Sequence, residues 1–137
     1  MLMSTNLIDV EKEISKESNI KSRRNNLMDD ILKVSLELEE NMIKLTTNFP
    51  KRERMFLVRY IRDGLVDLNK MIIKAHKSDK PKSSLYEAAT IIAMLTLHIR
   101  RSIELNFIYY KQYRINSEKA VLVKKYINTW ITFELNH

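Results

Sequence analysis

The chain has 137 residues, about the length of one domain, and it contains one glycine, two prolines and no cysteine. The missing cysteines exclude disulfides, thiolate zinc sites and cysteine nucleophiles, and so few glycines and prolines are hard to reconcile with the tight turns of a sheet. The net charge of +7 is uneven, since residues 51–125 carry +10 and residues 1–50 carry −2. These features predict an all-α domain whose partner is a polyanion or an acidic protein surface.

Residues 1–26 are polar and weakly patterned. We expect a flexible N-terminal arm that ends in a basic cluster of Lys21, Arg23 and Arg24; a merely solubilising tail is an equal alternative. The start of the chain lacks the basic and apolar regions of a signal peptide. The most apolar stretch, residues 85–99, is shorter than the roughly 20 residues that span a bilayer. A cytoplasmic protein without membrane contact is therefore expected.

The remaining chain divides into a predicted bundle domain, residues 27–131, and a C-terminal tail, residues 132–137. Four helices are predicted, at about 28–46, 50–76, 84–110 and 117–131. Short connections between helices make neighbours antiparallel, so the prediction is an up-and-down antiparallel four-helix bundle.

Local signals set these predicted boundaries. Asn25 or Asn26 is expected to cap the first helix, and Pro50 to occupy the first position of the second, where its missing N–H costs nothing. The polar segment 78–83 is the clearest loop. A turn at 112–116 is expected to end at a cap formed by Asn116 or Ser117. The first helix carries two apolar stripes, which indicates contact with more than one neighbour.

The third predicted helix is apolar on nearly every side between Leu85 and Ile99. A helix that is apolar all round is normally buried all round, whereas a four-helix bundle covers only one face. A second subunit would supply the missing cover, and we therefore expect a homo-oligomer. The alternative is that the N-terminal arm packs over this helix.

No arrangement of side chains in the sequence indicates catalysis. His76, His98 and His137 lie on different elements, and none belongs to a metal-binding motif. His98, alone on an apolar helix, fits a core histidine better than a ligand. Gly64 is the only glycine, which excludes a glycine-rich phosphate loop. We expect no enzyme activity, no metal and no cofactor.

The cations of the second predicted helix gather on one side of an ideal helix, opposite the apolar residues Leu57, Ile61, Leu65, Leu68 and Ile72. An ordinary solvated face is the alternative, although it normally mixes in more glutamate than this segment has. We predict a surface for nucleic acid or a protein partner. Its residues are Lys51, Arg52, Arg59, Arg62, Lys70, Lys74 and Lys77, with weaker candidates at Arg100, Arg101, Lys124 and Lys125.

The segment Asn48-Phe49-Pro50-Lys51-Arg52-Glu53-Arg54-Met55-Phe56, followed by Arg59, Ile61 and Arg62, resembles a helix opening in one protein family. This family is the accessory variability determinant proteins of diversity-generating retroelements, related to the bundle proteins encoded in intervening sequences of ribosomal RNA genes. The resemblance continues through Lys111-Gln112-Tyr113 to Trp130-Ile131 and covers roughly residues 28–131.

This resemblance implies a homopentameric ring of four-helix bundles that binds a reverse transcriptase and its template RNA or cDNA, without catalytic residues of its own. Two alternatives stay open. The chain could be a bundle protein of the ribosomal RNA intervening-sequence type, or a helical module whose basic face docks an acidic protein. Finding a reverse transcriptase gene and a pair of near-repeat sequences beside this gene would separate the retroelement function from both alternatives.

Overall fold

The structure is a computed structural model that describes the backbone of residues 2–137 and the side chains of residues 7–137. Met1, the first residue of the predicted arm, lies outside the described residues. Between residues 2 and 137 the chain is helical with short connections and no strand: α1 Leu2–Thr46, a 3₁₀ turn Lys51–Glu53, α2 Leu57–Lys77, α3 Lys82–Glu104 and α4 Tyr110–Leu135. The predicted all-α class is confirmed.

The four helices pack as a bundle in chain order. Helix α1 contacts α2 and α4, and α3 contacts the same two helices, whereas no contact joins α1 to α3 or α2 to α4 in the described chain. The ion pair between Arg24 and Glu134 links the early part of α1 to the end of α4, and that between Glu37 and Lys119 links later α1 to earlier α4. Neighbouring helices are therefore antiparallel, as predicted for an up-and-down bundle.

The core contains the apolar stripe predicted for α2. Leu57, Ile61, Leu65, Leu68 and Ile72 are all buried, because their spacing of three and four residues keeps them on one face. Helices α2 and α3 approach closely at Gly64, where an added Cβ would lie 2.9 Å from Leu95 Cδ2.

The two apolar stripes of α1 differ in burial, and neither is buried along its whole length, since Leu45 of the first stripe is only partly buried. Leu27, Ile31, Val34 and Leu38 belong to the core, whereas Leu36 and Ile43 of the second stripe are exposed. Contact of α1 with more than one neighbour is confirmed, since it packs against both α2 and α4.

The predicted start of the first helix is wrong. Helix α1 begins at Leu2 and runs for 45 residues without a break at Asn25 or Asn26. No glycine or proline occurs before Pro50, so nothing in the backbone chemistry stops the helix. The structure does not separate residues 2–26 from the bundle domain as a non-helical arm.

The second helix also starts elsewhere than predicted. Pro50 precedes a single 3₁₀ turn, and α2 begins only at Leu57, after Phe56 takes the non-helical angles φ −121° and ψ −101°. Phe49 is buried, and its ring lies 5.2 Å from the ring of Phe107. This tertiary contact holds the corner, so proline opens one turn rather than the long helix.

The connection between α3 and α4 lies at residues 105–109 and not at the predicted turn 112–116. Asn106 adopts φ +62°, and its N–H donates to Ile103 O at 2.9 Å, while the Phe107 N–H donates to Ser102 O at 2.8 Å. This pair of bonds is the Schellman motif, for which asparagine is the usual substitute for glycine. The predicted end of the third helix at Tyr110 is therefore wrong.

Helix α4 accordingly begins and ends outside its predicted limits. Its first turn is held by Gln112, whose Oε1 accepts a hydrogen bond from the Tyr109 N–H at 2.9 Å. Asn116, the predicted cap, is buried inside the helix and donates to Gln112 O. The helix continues to Leu135, so the predicted tail 132–137 is mostly helical, and Glu134 is buried against α1.

Candidate nucleic-acid interface

Lys51 and Arg52 do not lie on α2. Both are exposed in the 3₁₀ turn before it, and the backbone leaves the helical path at Phe56. A rotation of 100° per residue therefore does not carry over from this turn to the helix. The predicted single face of seven cations is wrong at these two positions.

On α2 itself, four cations face away from the core and form a surface that we call the basic ridge: Arg59, Lys70, Lys74 and Lys77. From Arg59 to Lys77 the ridge is about 27 Å long at 1.5 Å per residue. Arg59 pairs with Asp63 at 3.4 Å, whereas the three lysines take part in none of the ion pairs formed by the described side chains. The ridge therefore presents three unneutralised ammonium groups to solvent.

Arg62, predicted as part of this surface, turns instead toward the end of α1. Its Nε donates to Thr46 Oγ1 at 3.0 Å and its Nη2 donates to Ile43 O at 3.2 Å. The carbonyls of the last turn of a helix lack partners within the helix, and a cation at that end also interacts well with the helix dipole. Arg62 therefore joins two helices, and this role removes it from the ridge.

The ridge ends at a cleft of about 290 Å³ between the early part of α1 and the loop after α2. Lys21 and Arg24 of α1 line this cleft together with His76 and Lys77 of α2, and Asp79 is its one carboxylate. The His76 Nε2–H donates to Asn25 Oδ1 across it. We call this site the basic cleft.

The basic cleft joins two positive segments that are more than 50 residues apart in sequence. The sequence predicts Lys21 and Arg24 as part of the basic cluster at the end of the N-terminal arm and does not predict them as binding residues. Because α1 and α2 are antiparallel, the early part of α1 lies beside the end of α2. The antiparallel order of the first two helices predicts this juxtaposition once the first helix is extended back to residue 21. A helix that starts only at residue 28 does not reach the end of α2.

The weaker candidates lie elsewhere. Arg100 and Arg101 of α3 both pair with Glu104, at 3.6 and 3.8 Å. Lys124 and Lys125 line an open depression on α4, which does not contact α2. The eleven predicted residues therefore do not share one surface.

An apolar groove of about 400 Å³ separates α2 from α3 at the end where α2 begins. Phe56 and Tyr60 line one side, and Met94 and Leu97 line the other. His98 is half-buried in it, with its ring 5.5 Å from that of Tyr60. Desolvation by burial lowers the pKa of His98 below its ordinary value. Glu53 and Arg101 also line this α2–α3 groove.

We expect acidification to destabilise the protein through His98. Its folded-state pKa is depressed, so the unfolded chain binds the proton more readily as the pH falls below the unfolded pKa of about 6.5. The stabilisation is complete above that pH and is lost as the pH falls through the folded pKa. The His98→Gln variant should lose less thermal stability between about pH 7 and pH 5 than the parent. The exposed-site variant His137→Gln serves as the control. An equal loss of thermal stability in the parent and in His98→Gln contradicts the assignment of this pH dependence to His98.

Other routes to a function add little. Among residues 2–137, no helix is long and apolar enough to cross a membrane, and no three His, Asp or Glu side chains of the described part are grouped to hold a metal ion. A comparison with models of protein families and with curated proteins finds no match to this chain. The basic ridge, the basic cleft and the α2–α3 groove are therefore the surfaces that point to a function.

Proposed function

We propose that this chain is a non-catalytic accessory protein of a diversity-generating retroelement, which binds a reverse transcriptase and its template RNA or cDNA. The observation that carries the proposal is the convergence of the basic ridge and the basic cleft. Lys70, Lys74 and Lys77 continue into Lys21 along one side of the α1–α2 pair. A continuous line of cations fits the regularly spaced phosphates of a nucleic-acid strand.

The charge distribution favours contact with the phosphate backbone of a nucleic acid and not with its bases. Lysine contacts phosphate as a point charge, and such contacts fix position without reading sequence. Such contacts would bind RNA or cDNA largely independently of its sequence. The side chains of the ridge carry no aromatic ring among them on which a base could stack.

The segment that resembles the retroelement family builds a corner of the fold. Phe49 is buried against Phe107, and Lys51 and Arg52 are exposed on the following turn. Trp130, near the end of the resemblance, is fully buried, and its Nε1–H donates to Glu134 Oε2 at 3.2 Å. The proposed family membership rests on the sequence resemblance of this segment, and the exposed cations support nucleic-acid binding.

Homo-oligomer formation, with five subunits expected from the resemblance, is part of the proposal. Met94 and Leu97 of α3 stay about half exposed in the single chain, at 47% and 48%. The N-terminal part of α1 does not cover them, since side chains 7–19 are exposed along their own length. A second subunit packed on α3 would cover them. Light scattering on a sizing column measures the subunit number.

The direct test is binding of a fluorescently labelled single-stranded RNA, followed by anisotropy at several salt concentrations. The logarithm of the association constant should fall linearly with the logarithm of the salt concentration, with a slope of roughly −0.7 for each phosphate neutralised. RNAs of unrelated sequence should bind with similar affinity. Binding that is insensitive to salt, or no binding, contradicts the nucleic-acid part of the proposal.

The protein part of the proposal has its own test. A reverse transcriptase encoded beside this gene should co-purify with the chain after co-expression. Retention of the reverse transcriptase without RNA affinity would keep the protein-binding part of the proposal and reject the nucleic-acid part. Failure of both measurements would reject the function.

A further inference from the structure

Helix α1 extends well past the bundle at its N-terminal end. The bundle contacts of this region are the ion pair from Arg24 to Glu134 and the hydrogen bond from His76 to Asn25. Side chains 7–19 are all exposed. Residues 2–19, which we call the overhang, continue the helix for about 27 Å at 1.5 Å per residue.

The overhang carries an apolar stripe without a partner in its own chain. Leu7, Val10 and Ile14 recur at spacings of three and four residues and are 51–63% exposed. Isolated helices of this length are marginal in water, and their stability in proteins comes from packing an apolar face. Glu11 and Glu13 flank the stripe. The surface that binds this stripe should therefore be apolar, and its edges should not be acidic.

The α2–α3 groove is an apolar surface of matching kind. Phe56, Tyr60, Met94 and Leu97 are each about half exposed along it, and one carboxylate and one guanidinium, Glu53 and Arg101, lie at its edges. A groove between two helices that is lined by aromatic, leucine and methionine side chains is a common binding site for an amphipathic helix.

The overhang cannot reach the groove of its own chain. Arg62 of α2 bonds to Thr46, so the start of α2 lies beside the end of α1. The overhang leaves the opposite end of the bundle, and from Asn19 to Thr46 the helix spans about 40 Å. Any overhang in this groove belongs to another molecule.

We infer that the overhang of one copy docks into the α2–α3 groove of a second copy, through Leu7, Val10 and Ile14. Charge favours this pairing, because residues 2–19 carry a net charge of −2 and residues 20–137 a net charge of +9. The inference rests on the homo-oligomer part of the proposed function and names the contact that would build it. Such a contact is head-to-tail, so the subunits form either a closed ring or an open chain.

Two other seats for the stripe are disfavoured by the same electrostatics. Pairing of two overhangs would bring the Glu11 and Glu13 flanks of both copies together. The exposed apolar residues Leu36 and Ile43 of α1 lie in one shallow site with Glu39, Glu40 and Lys44, so this site keeps one carboxylate in excess. Acidic flanks are repelled from both places.

Disulfide trapping tests the contact, since the chain has no native cysteine. The full-length variant with Ile14→Cys and Leu97→Cys is oxidised mildly and run on a non-reducing gel. We expect covalent dimers and higher species that reductant reverses. The matched control combines Leu97→Cys with Ile8→Cys, an equally apolar and exposed residue on another side of the overhang. This control should stay mostly monomeric on the gel.

A second measurement covers the energetics. Leu7→Asp with Ile14→Asp should reduce the mass in light scattering to that of a 16.3 kDa monomer, while the cooperative thermal unfolding of the bundle is retained, whereas Ile8→Asp should leave the oligomer intact. An oligomeric parent without the 14–97 crosslink, or an efficient crosslink from Ile14→Cys alone, overturns this inference and leaves the proposed oligomer standing. A monomeric parent at micromolar concentration overturns both.

Discussion

Replacing Glu134 with alanine is expected to lower the free energy of unfolding by about 3 kcal/mol, because one partner of a buried ion pair is removed. The Glu134 carboxylate is buried and accepts from Arg24 Nη2 at 2.6 Å, from Arg24 Nε at 3.1 Å and from Trp130 Nε1 at 3.2 Å. Its hydrogen bond to Arg24 raises the pKa of that guanidinium above its ordinary value. The alanine variant leaves a largely buried cation and a fully buried indole N–H without this partner.

Urea unfolding followed by circular dichroism measures this loss. Glu118→Ala is the matched control, because Glu118 pairs with Arg114 on the exposed surface of the same helix at 4.0 Å. Its effect should stay within about 0.5 kcal/mol. The variant Glu134→Gln separates the charge from the hydrogen bond to Trp130. A loss of less than about 1 kcal/mol for Glu134→Ala contradicts the view that this pair ties α1 to α4.

Reversing two charges of the basic ridge, Lys70→Glu with Lys77→Glu, should weaken RNA binding by roughly 25-fold at about 0.1 M salt. Each phosphate contact contributes about 0.7 to the slope of the log–log plot, so the slope should become shallower by about 1.4. Both lysines are exposed and unpaired among the described side chains, so the fold should be unaffected. Arg62 is unsuitable for this test because its substitution also breaks the contact with α1.

Lys124→Glu with Lys125→Glu is the matched control for the ridge. It changes the net charge by the same amount on α4, which lies diagonally across the bundle from α2. We expect its effect on RNA affinity to be much smaller. An equal or larger effect would move the interface to α4, and no effect from either pair would make the ridge an ordinary solvated surface. Anisotropy titrations at three salt concentrations distinguish these results.

The residue pattern alone was sufficient for the class of fold and for its central stripe. A chain with one glycine and two prolines cannot supply the turns of a sheet, and an all-helical bundle follows. Leu57, Ile61, Leu65, Leu68 and Ile72 are buried as their spacing indicates, because helical period depends only on local geometry. The concentration of positive charge in residues 51–125 is likewise a property of the sequence.

Helix boundaries and the shape of the charged surface were decided by contacts between distant residues. The Phe49–Phe107 contact holds the corner that separates Pro50 from the start of α2 at Leu57. The end of α3 is an exception, because the hydrogen bonds around Asn106 are local. Helix α4 continues past its predicted end at residue 131. Glu134 of this extra turn is buried because Arg24 of α1 neutralises its charge.

The same holds for the candidate site. Arg62 and Lys70 both belong to the basic face that the sequence predicts for the second helix. In the structure Arg62 bonds to the end of α1, whereas Lys70 is exposed to solvent. Lys21 and Lys77 meet only because α1 and α2 run antiparallel. Periodicity determines which side chains share a face of one helix, and only the packing of helices determines which faces meet, since that depends on free energies summed over the whole core.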